Sequence, residues 1–267
     1  MPFIPVNGIQ LYYEIEGDGP PLLVISGTGA DLRNPRPENP TLTGFQVLRY
    51  DQRGLGQTAS PKGTYTMKDY ADDAASLLES LELGPINVIG ISFGGMVAQH
   101  LVTRYPSKVN KLVLACTSPG GNNFSSFDLR KIVSSSKNQV ESWLQILDSR
   151  YKNSGKNLPM LNMVKDALHT NTRLFPNLIT DGLTRQLEAR SKHDCVNSLK
   201  NISNQTLIVG GKYDDIAPVK NLLEMHRLIK NSQMQIFEGG HLFLMQDKQA
   251  WPAIISFLLS ESDTLKA

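Results

Sequence analysis

Cysteine is scarce in this 267-residue chain: Cys116 and Cys195 are the only two, and neither shares a metal-ligand spacing with another cysteine or a histidine. A disulfide framework is excluded, two reduced and buried thiols are expected, and no metal or cofactor site is implied. No segment approaches the ~18 apolar residues of a membrane-spanning helix, so no membrane association is expected. Met1-Pro2-Phe3-Ile4-Pro5 carries neither a basic stretch nor a long apolar run. No secretory leader is expected there, and a soluble cytoplasmic protein is the expectation. Charge of one sign is missing too: 27 Lys and Arg face 25 Asp and Glu, a net of +2 with no basic stripe, which gives no footprint for nucleic acid. What remains is ordinary globular composition, 40% apolar and 19% charged, enough for one sizeable core.

Along that chain, strand and helix signals alternate. Asn7-Gly8 between two apolar stretches predicts a β-hairpin over Phe3 to Ile15. Leu22-Leu23-Val24-Ile25, Gln46 to Tyr50, Pro85 to Ile89 and Val109 to Ala115 read as short buried strands. Thr66 with Asp69 makes a capping box for a helix whose apolar residues run from Met67 to Leu81, stopped at Gly84-Pro85. From Ser118 to about Asn204 strand signals vanish, and amphipathic helices are expected around Trp143 to Leu147, Leu161 to Leu168 and Leu183 to Leu187. Strands return at Thr206 to Val209 and Gln233 to Phe237, with helices from Pro218 to Ile229 and Gln249 to Leu259. The pattern is a mostly parallel α/β sheet entered through an antiparallel hairpin, with a core of residues 1–118 and 205–267 and a helical lid of residues 119–204.

The stretch that carries chemistry is Gly90-Ile91-Ser92-Phe93-Gly94, a serine between two glycines at a strand-to-helix junction. A nucleophile elbow is written this way, because strand and helix can approach closely only where side chains are nearly absent. A serine hydroxyl needs a base, and the base needs a third group to hold its tautomer. Of five histidines, His241 follows Glu238-Gly239-Gly240 just past the last strand, where a parallel sheet presents its loops to the elbow. His100 and His226 lie in helices and read as packing or surface residues, whereas His169 and His193 fall in the lid and at most line a pocket. The acid belongs at a strand end between serine and histidine. Only Gly210-Gly211-Lys212-Tyr213-Asp214-Asp215 qualifies, leaving Asp214 and Asp215 as candidates.

These features together resemble the α/β-hydrolase fold, and more narrowly the branch containing 3-oxoadipate enol-lactonases and related esterases. The resemblance covers roughly Phe3 to Ser118 and Thr206 to Leu259. In that family the acid lies three residues after a glycine and four before a proline, so Gly211 and Pro218 imply Asp214. Asp51-Gln52-Arg53-Gly54-Leu55-Gly56-Gln57-Thr58 is similar to the family's structural D-x-R-G-x-G-x-S turn, with threonine in the last place. Gly94-Gly95-Met96-Val97-Ala98-Gln99 is similar to the enol-lactonase branch. Family members usually carry His-Gly after the third strand, where this chain has Ser26-Gly27-Thr28-Gly29. The oxyanion hole uses backbone donors, and by position the resemblance implies the amides of Thr28 and Phe93.

The implied activity is a serine hydrolase acting on a small-molecule carboxylic ester or lactone, with Ser92, Asp214 and His241 as catalytic residues and no cofactor. Two alternatives stand beside it. The same fold can cleave C–C bonds or run cofactor-independent oxygen chemistry, and a non-catalytic binding homologue can keep the pocket. Residues 119 to 204 hold 12 Lys and Arg against 7 Asp and Glu, a net of +5, which suits solvated surface or an anionic substrate. Phe124, Phe127, Trp143 and Phe175 suit lid packing or an apolar substrate pocket.

Overall fold

In the computed structural model, which describes residues 2–33, 42–133, 139–154, 158–169 and 180–260, Asn7 and Gly8 take φ of 45° and 76°. That left-handed pair is what a two-residue hairpin between right-twisted strands requires. β1 (Phe3–Val6) and β2 (Ile9–Glu16) pair antiparallel through it, with Val6 opposite Ile9. β2 then runs antiparallel to β4 (Gln46–Tyr50). From there β3 (Pro21–Ile25), β5 (Ile86–Ile91), β6 (Val109–Ala115), β7 (Thr206–Gly211) and β8 (Ser232–Phe237) are all parallel to β4 and to each other. The eight strands follow the order β1-β2-β4-β3-β5-β6-β7-β8.

The continuous apolar runs bury both faces. Along β3, Leu23 and Ile25 join one cluster and Leu22 and Val24 the other; along β6, Leu112 and Leu114 part in the same way from Val113 and Ala115. The first cluster is covered by α1 (Met67–Ser80) and α2 (Phe93–Arg104). Thr66 and Asp69 cap α1 reciprocally, as the capping box requires. Its end lies at Ser80, four residues before the expected stop, because Glu82 takes φ of 54° and the Glu82 and Leu83 amides donate back to Glu79 and Leu78. This closure satisfies the last carbonyls without the proline.

Between β6 and β7 the described residues form no strand but a series of helices: α3 (Gly121–Phe124), α4 (Arg130–Val133), α5 (Gln139–Leu147), α6 (Tyr151–Ser154), α7 (Pro159–His169), α8 (Asp181–Ser191) and α9 (Val196–Leu199). Leu129, Leu144, Leu147, Leu161, Leu183 and Leu187 pack there into a third cluster, joined by Leu55 and Ile216 from loops that follow β4 and β7. These helices thus share a core with the loops at the C-terminal edge of the sheet. Phe127 and Trp143 lean on the same cluster. Phe175 and the side chains of Leu168 and His169 lie outside the described residues. α10 (Val219–Leu228), α11 (Phe243–Gln246) and α12 (Ala250–Leu259) complete the chain; α10 covers the face shared with α1 and α2, and α12 covers the opposite one with Trp251, Ile254 and Phe257.

The turn after β4 ties the sheet edge together. Asp51 accepts from the Leu32 and Gln57 amides at 2.7 Å each, and the Thr58 hydroxyl donates to the Asp51 carbonyl at 2.6 Å while accepting from the Tyr12 amide. Arg53 reaches Asp73 on α1 with two hydrogen bonds of 2.7 and 2.6 Å, both side chains being buried.

Candidate active site

The chain leaves β3 outward to β4, then returns across β3 to β5. Loops after β3 and β5 therefore diverge, and an open α/β sheet forms its crevice at such a reversal. Ser92 sits there, between β5 and α2, with φ of 54° and ψ of −113°. A non-glycine residue in that region is strained and persists only where its surroundings over-determine it. Here the Ser92 amide donates to the Ala115 carbonyl at 2.8 Å, and its carbonyl accepts from Thr117 Oγ1 at 2.7 Å. The flanking glycines are dictated by space: a Cβ on Gly90 would lie 2.5 Å from the Gly94 carbonyl oxygen, and one on Gly94 would lie 2.0 Å from that of Ile25.

His241 and Asp214 converge on this serine. Asp214 follows β7 with its carboxylate fully buried, and its Oδ1 accepts from the Ile216 and Ala217 amides at 2.7 and 2.9 Å. Oδ2 lies 2.7 Å from His241 Nδ1, and His241 Nε2 lies 3.0 Å from Ser92 Oγ. A carboxylate only accepts, so Nδ1 carries the hydrogen and Nε2 is free to accept from the serine hydroxyl. The end of α5 steadies both loops: Leu147 accepts from the His241 amide at 2.6 Å, and Ile146 from that of Asp215 at 3.2 Å. Asp215 itself turns outward, 3.8 Å from Lys152.

Opposite the elbow runs Ser26-Gly27-Thr28-Gly29. A Cβ on Gly27 would stand 3.5 Å from Ser92 Cβ, so the loop lies against the nucleophile. The amides of Thr28 and Phe93 donate to no described residue, and Phe93 opens α2, where the helix dipole favours negative charge. Two side chains without any motif hold the loop. Gln52 Nε2 donates to the Ser26 carbonyl at 2.9 Å, and Gln186 Oε1 accepts from the Gly29 amide at 2.7 Å.

The remaining histidines stand apart. His100 Nε2 lies 3.1 Å from His193 Nδ1, and His193 Nε2 donates to the Ser118 carbonyl at 3.0 Å. His193 is buried and His100 half-buried, and desolvation pushes both down, His100 to about 4 and His193 to about 3. His226 bonds Ser232 Oγ on the surface. His193 also lines a cavity of about 190 Å³ beside Met96, Leu187 and Arg190. Arg190 is only 5% exposed and donates to the Phe127 carbonyl at 2.9 Å; burial brings its guanidinium down to about 10. Nothing in its sequence setting marks it. Among the described residues no group of three His, Cys, Asp or Glu side chains converges as a metal site would, and no helix is long and apolar enough to cross a membrane.

Residues 20–248 match the family model for the alpha/beta hydrolase fold. The chain belongs to that family. This α/β hydrolase is 27% identical over 265 residues to a poly(3-hydroxyalkanoate) depolymerase of Ectopseudomonas oleovorans, across 90% of this chain and 85% of the other. It is 26% identical over 270 residues to a pyrrolizixenacetamide deacetylase of Xenorhabdus hominickii, across 97% and 98%. In fold it is similar to the enol-lactonase from Burkholderia xenovorans LB400, with a TM-score of 0.78, 22% identity, and coverage of 97% of this chain and 100% of that one. The α/β-hydrolase sheet explains how groups at positions 92, 214 and 241 meet: each follows a parallel strand at the same edge.

Proposed function

We propose that this α/β hydrolase cleaves a small-molecule carboxylic ester or lactone through an acyl-enzyme on Ser92, with the helices between β6 and β7 as its lid. The observation that carries the reading is the unbroken line from Asp214 Oδ2 to His241 and on to Ser92 Oγ, at 2.7 and 3.0 Å. Along it a proton has somewhere to go. As Ser92 Oγ bonds to the substrate carbonyl carbon, its proton passes to His241 Nε2, and the buried Asp214 carboxylate stabilises the imidazolium. The carbonyl oxygen becomes an oxyanion facing the amides of Thr28 and Phe93, donors already in place before charge develops. Collapse breaks the ester C–O bond, and His241 returns the proton to the departing oxygen. Water then repeats the sequence and frees the acid.

The order serine, acid, histidine along the chain supports the assignment, since it is the α/β-hydrolase order of these roles. No step calls on a metal or cofactor. A pre-steady-state assay over a chain-length series of p-nitrophenyl esters, with one lactone included, tests the reading. A nitrophenolate burst equal to the enzyme concentration is expected with the preferred ester; steady release without any burst in the whole series, together with an inert lactone, would count against it.

A further inference from the structure

Gln186 is wholly buried on α8, yet its contact lies 157 residues earlier in the chain, at the loop facing Ser92. What brings it there is a close approach between α8 and the turn after β4: a Cβ on Gly182 would fall 1.8 Å from the Gly54 carbonyl oxygen. Gly54 belongs to the same turn as Gln52. One turn of backbone therefore carries Gln52 to the start of the loop and seats the helix that carries Gln186 to its end.

The two amides act with opposite polarity on two peptide planes that flank a third. Gln52 Nε2 fixes the Ser26 carbonyl, and with it the Ser26–Gly27 plane. Gln186 Oε1 fixes the Gly29 amide, and with it the Thr28–Gly29 plane. Between them lies the plane that holds the Thr28 N–H, restrained among the described residues only by a long 3.3 Å bond from the Ala30 amide to the Gly27 carbonyl. With glycine on both sides of Thr28, backbone freedom there is large unless the outer planes are held. The clamp is also poorly explained by stability. Gln186 Nε2 and Thr28 Oγ1 are both buried without a partner among the described residues, and an amide left half-unsatisfied is a costly way to pack a helix.

We propose that Gln186 is a positioning residue, through which helix α8 holds the Ser26–Gly29 loop so that the Thr28 amide meets the oxyanion. The proposal rests on the serine-hydrolase reading above. It makes the helices over the site part of the catalytic geometry, because any movement of α8 away from the sheet releases the Gly29 amide and loosens the hole.

The test is Gln186→Met in the full chain, which keeps length and burial and removes the acceptor. On the preferred p-nitrophenyl ester, kcat is expected to fall about 10- to 100-fold with KM within about twofold, part of the 10²–10³ that a whole oxyanion donor contributes. Affinity for an aryl boronic acid, whose tetrahedral adduct on Ser92 mimics the oxyanion, should fall by the same factor. Mere loss of packing moves neither quantity in that way, and Leu183→Ala on the same helix should lower Tm with kcat within about threefold. Thr28→Pro removes the donor itself, so adding Gln186→Met to it should cost nothing further if both act through one amide. If Thr28→Pro fails to fold, the kcat and boronate measurements decide alone. A folded Gln186→Met with kcat and boronate affinity within twofold of wild type overturns the proposal, and so does a rise in KM alone. Wild-type protein that never acylates Ser92 brings down the hydrolase reading and this proposal together, whereas normal acylation with an indifferent Gln186→Met brings down only the proposal.

Discussion

At the scale of single residues, two adjacent acids are set apart by direction alone. Asp214 is enclosed and bonded to His241, while Asp215 faces solvent near Lys152. Asp214→Asn is therefore expected to lower kcat by up to about 10⁴, because an amide no longer enforces the Nδ1–H tautomer. Asp215→Asn should leave kcat within about twofold, and steady-state kinetics on the preferred ester separates the two. The sequence alone left that choice open; the glycine and proline spacing decided it only through a family resemblance. Ser92, Gly90 and Gly94 were legible because their constraint is local, a strained turn with no room for side chains. Gln52 and Gln186 were not, since their partners lie 26 and 157 positions away and glutamine in a helix or turn carries no motif.

At the scale of elements, the elbow and the turn after β4 carry the sharpest constraints. In Gly94→Ala the new methyl meets the backbone oxygen of Ile25, which cannot swing aside as a flexible side chain would. A loss of 1–3 kcal/mol is the usual cost of such overpacking, giving a fall in Tm on the order of 5 °C by differential scanning calorimetry, with kcat reduced as the elbow shifts. Arg53→Met strands the buried Asp73 carboxylate, and removing one partner of a buried pair costs about 3–5 kcal/mol, again read from Tm. Strands were legible wherever an apolar run was continuous, as in β3 and β6, because burial on both faces leaves no alternation to misread. The last periodic residue, Leu81, is the cap just past the end of α1 at Ser80; Gly84-Pro85 is a strong stop, but the closure at Glu82 comes before it and has no residue-type signature. The amphipathic helices between β6 and β7 were likewise legible singly, whereas the cluster they build with Leu55 and Ile216 depends on contacts that no local period encodes.

At the scale of the whole molecule, the His100–His193 pair links α2, which carries the elbow, to the segment between α8 and α9. Because His193 Nε2 donates to the Ser118 carbonyl, its Nδ1 accepts from His100, and both rings are neutral as packed. Arg104 and Arg190 reinforce burial against a second charge there, while Asp194 opposes it at His100. Their folded values, about 4 and about 3, lie below the ~6.5 of an unfolded imidazole. The unfolded chain thus binds protons first, and this contribution to stability is complete above pH ~6.5 and lost as pH falls toward 4. Burial raises Asp51 and Asp73 above the ordinary 3.8 of a carboxyl, which works in the opposite direction over the acidic range just above that value. Tm is expected to drop between pH 7 and 5, and His100→Gln, which keeps a donor toward His193, should flatten the drop. A wild-type curve as flat as that of His100→Gln would contradict the account.

A covalent intermediate at Ser92 is the step on which the proposed hydrolysis turns. Intact-mass spectrometry of protein quenched during turnover of a p-nitrophenyl ester, followed by peptide mapping, looks for it directly. One acyl adduct on the peptide that holds Ser92 is expected, absent in Ser92→Ala along with about 10⁴ to 10⁶ of the turnover. Turnover that continues with no adduct at Ser92, or that Ser92→Ala leaves at the wild-type rate, would contradict it.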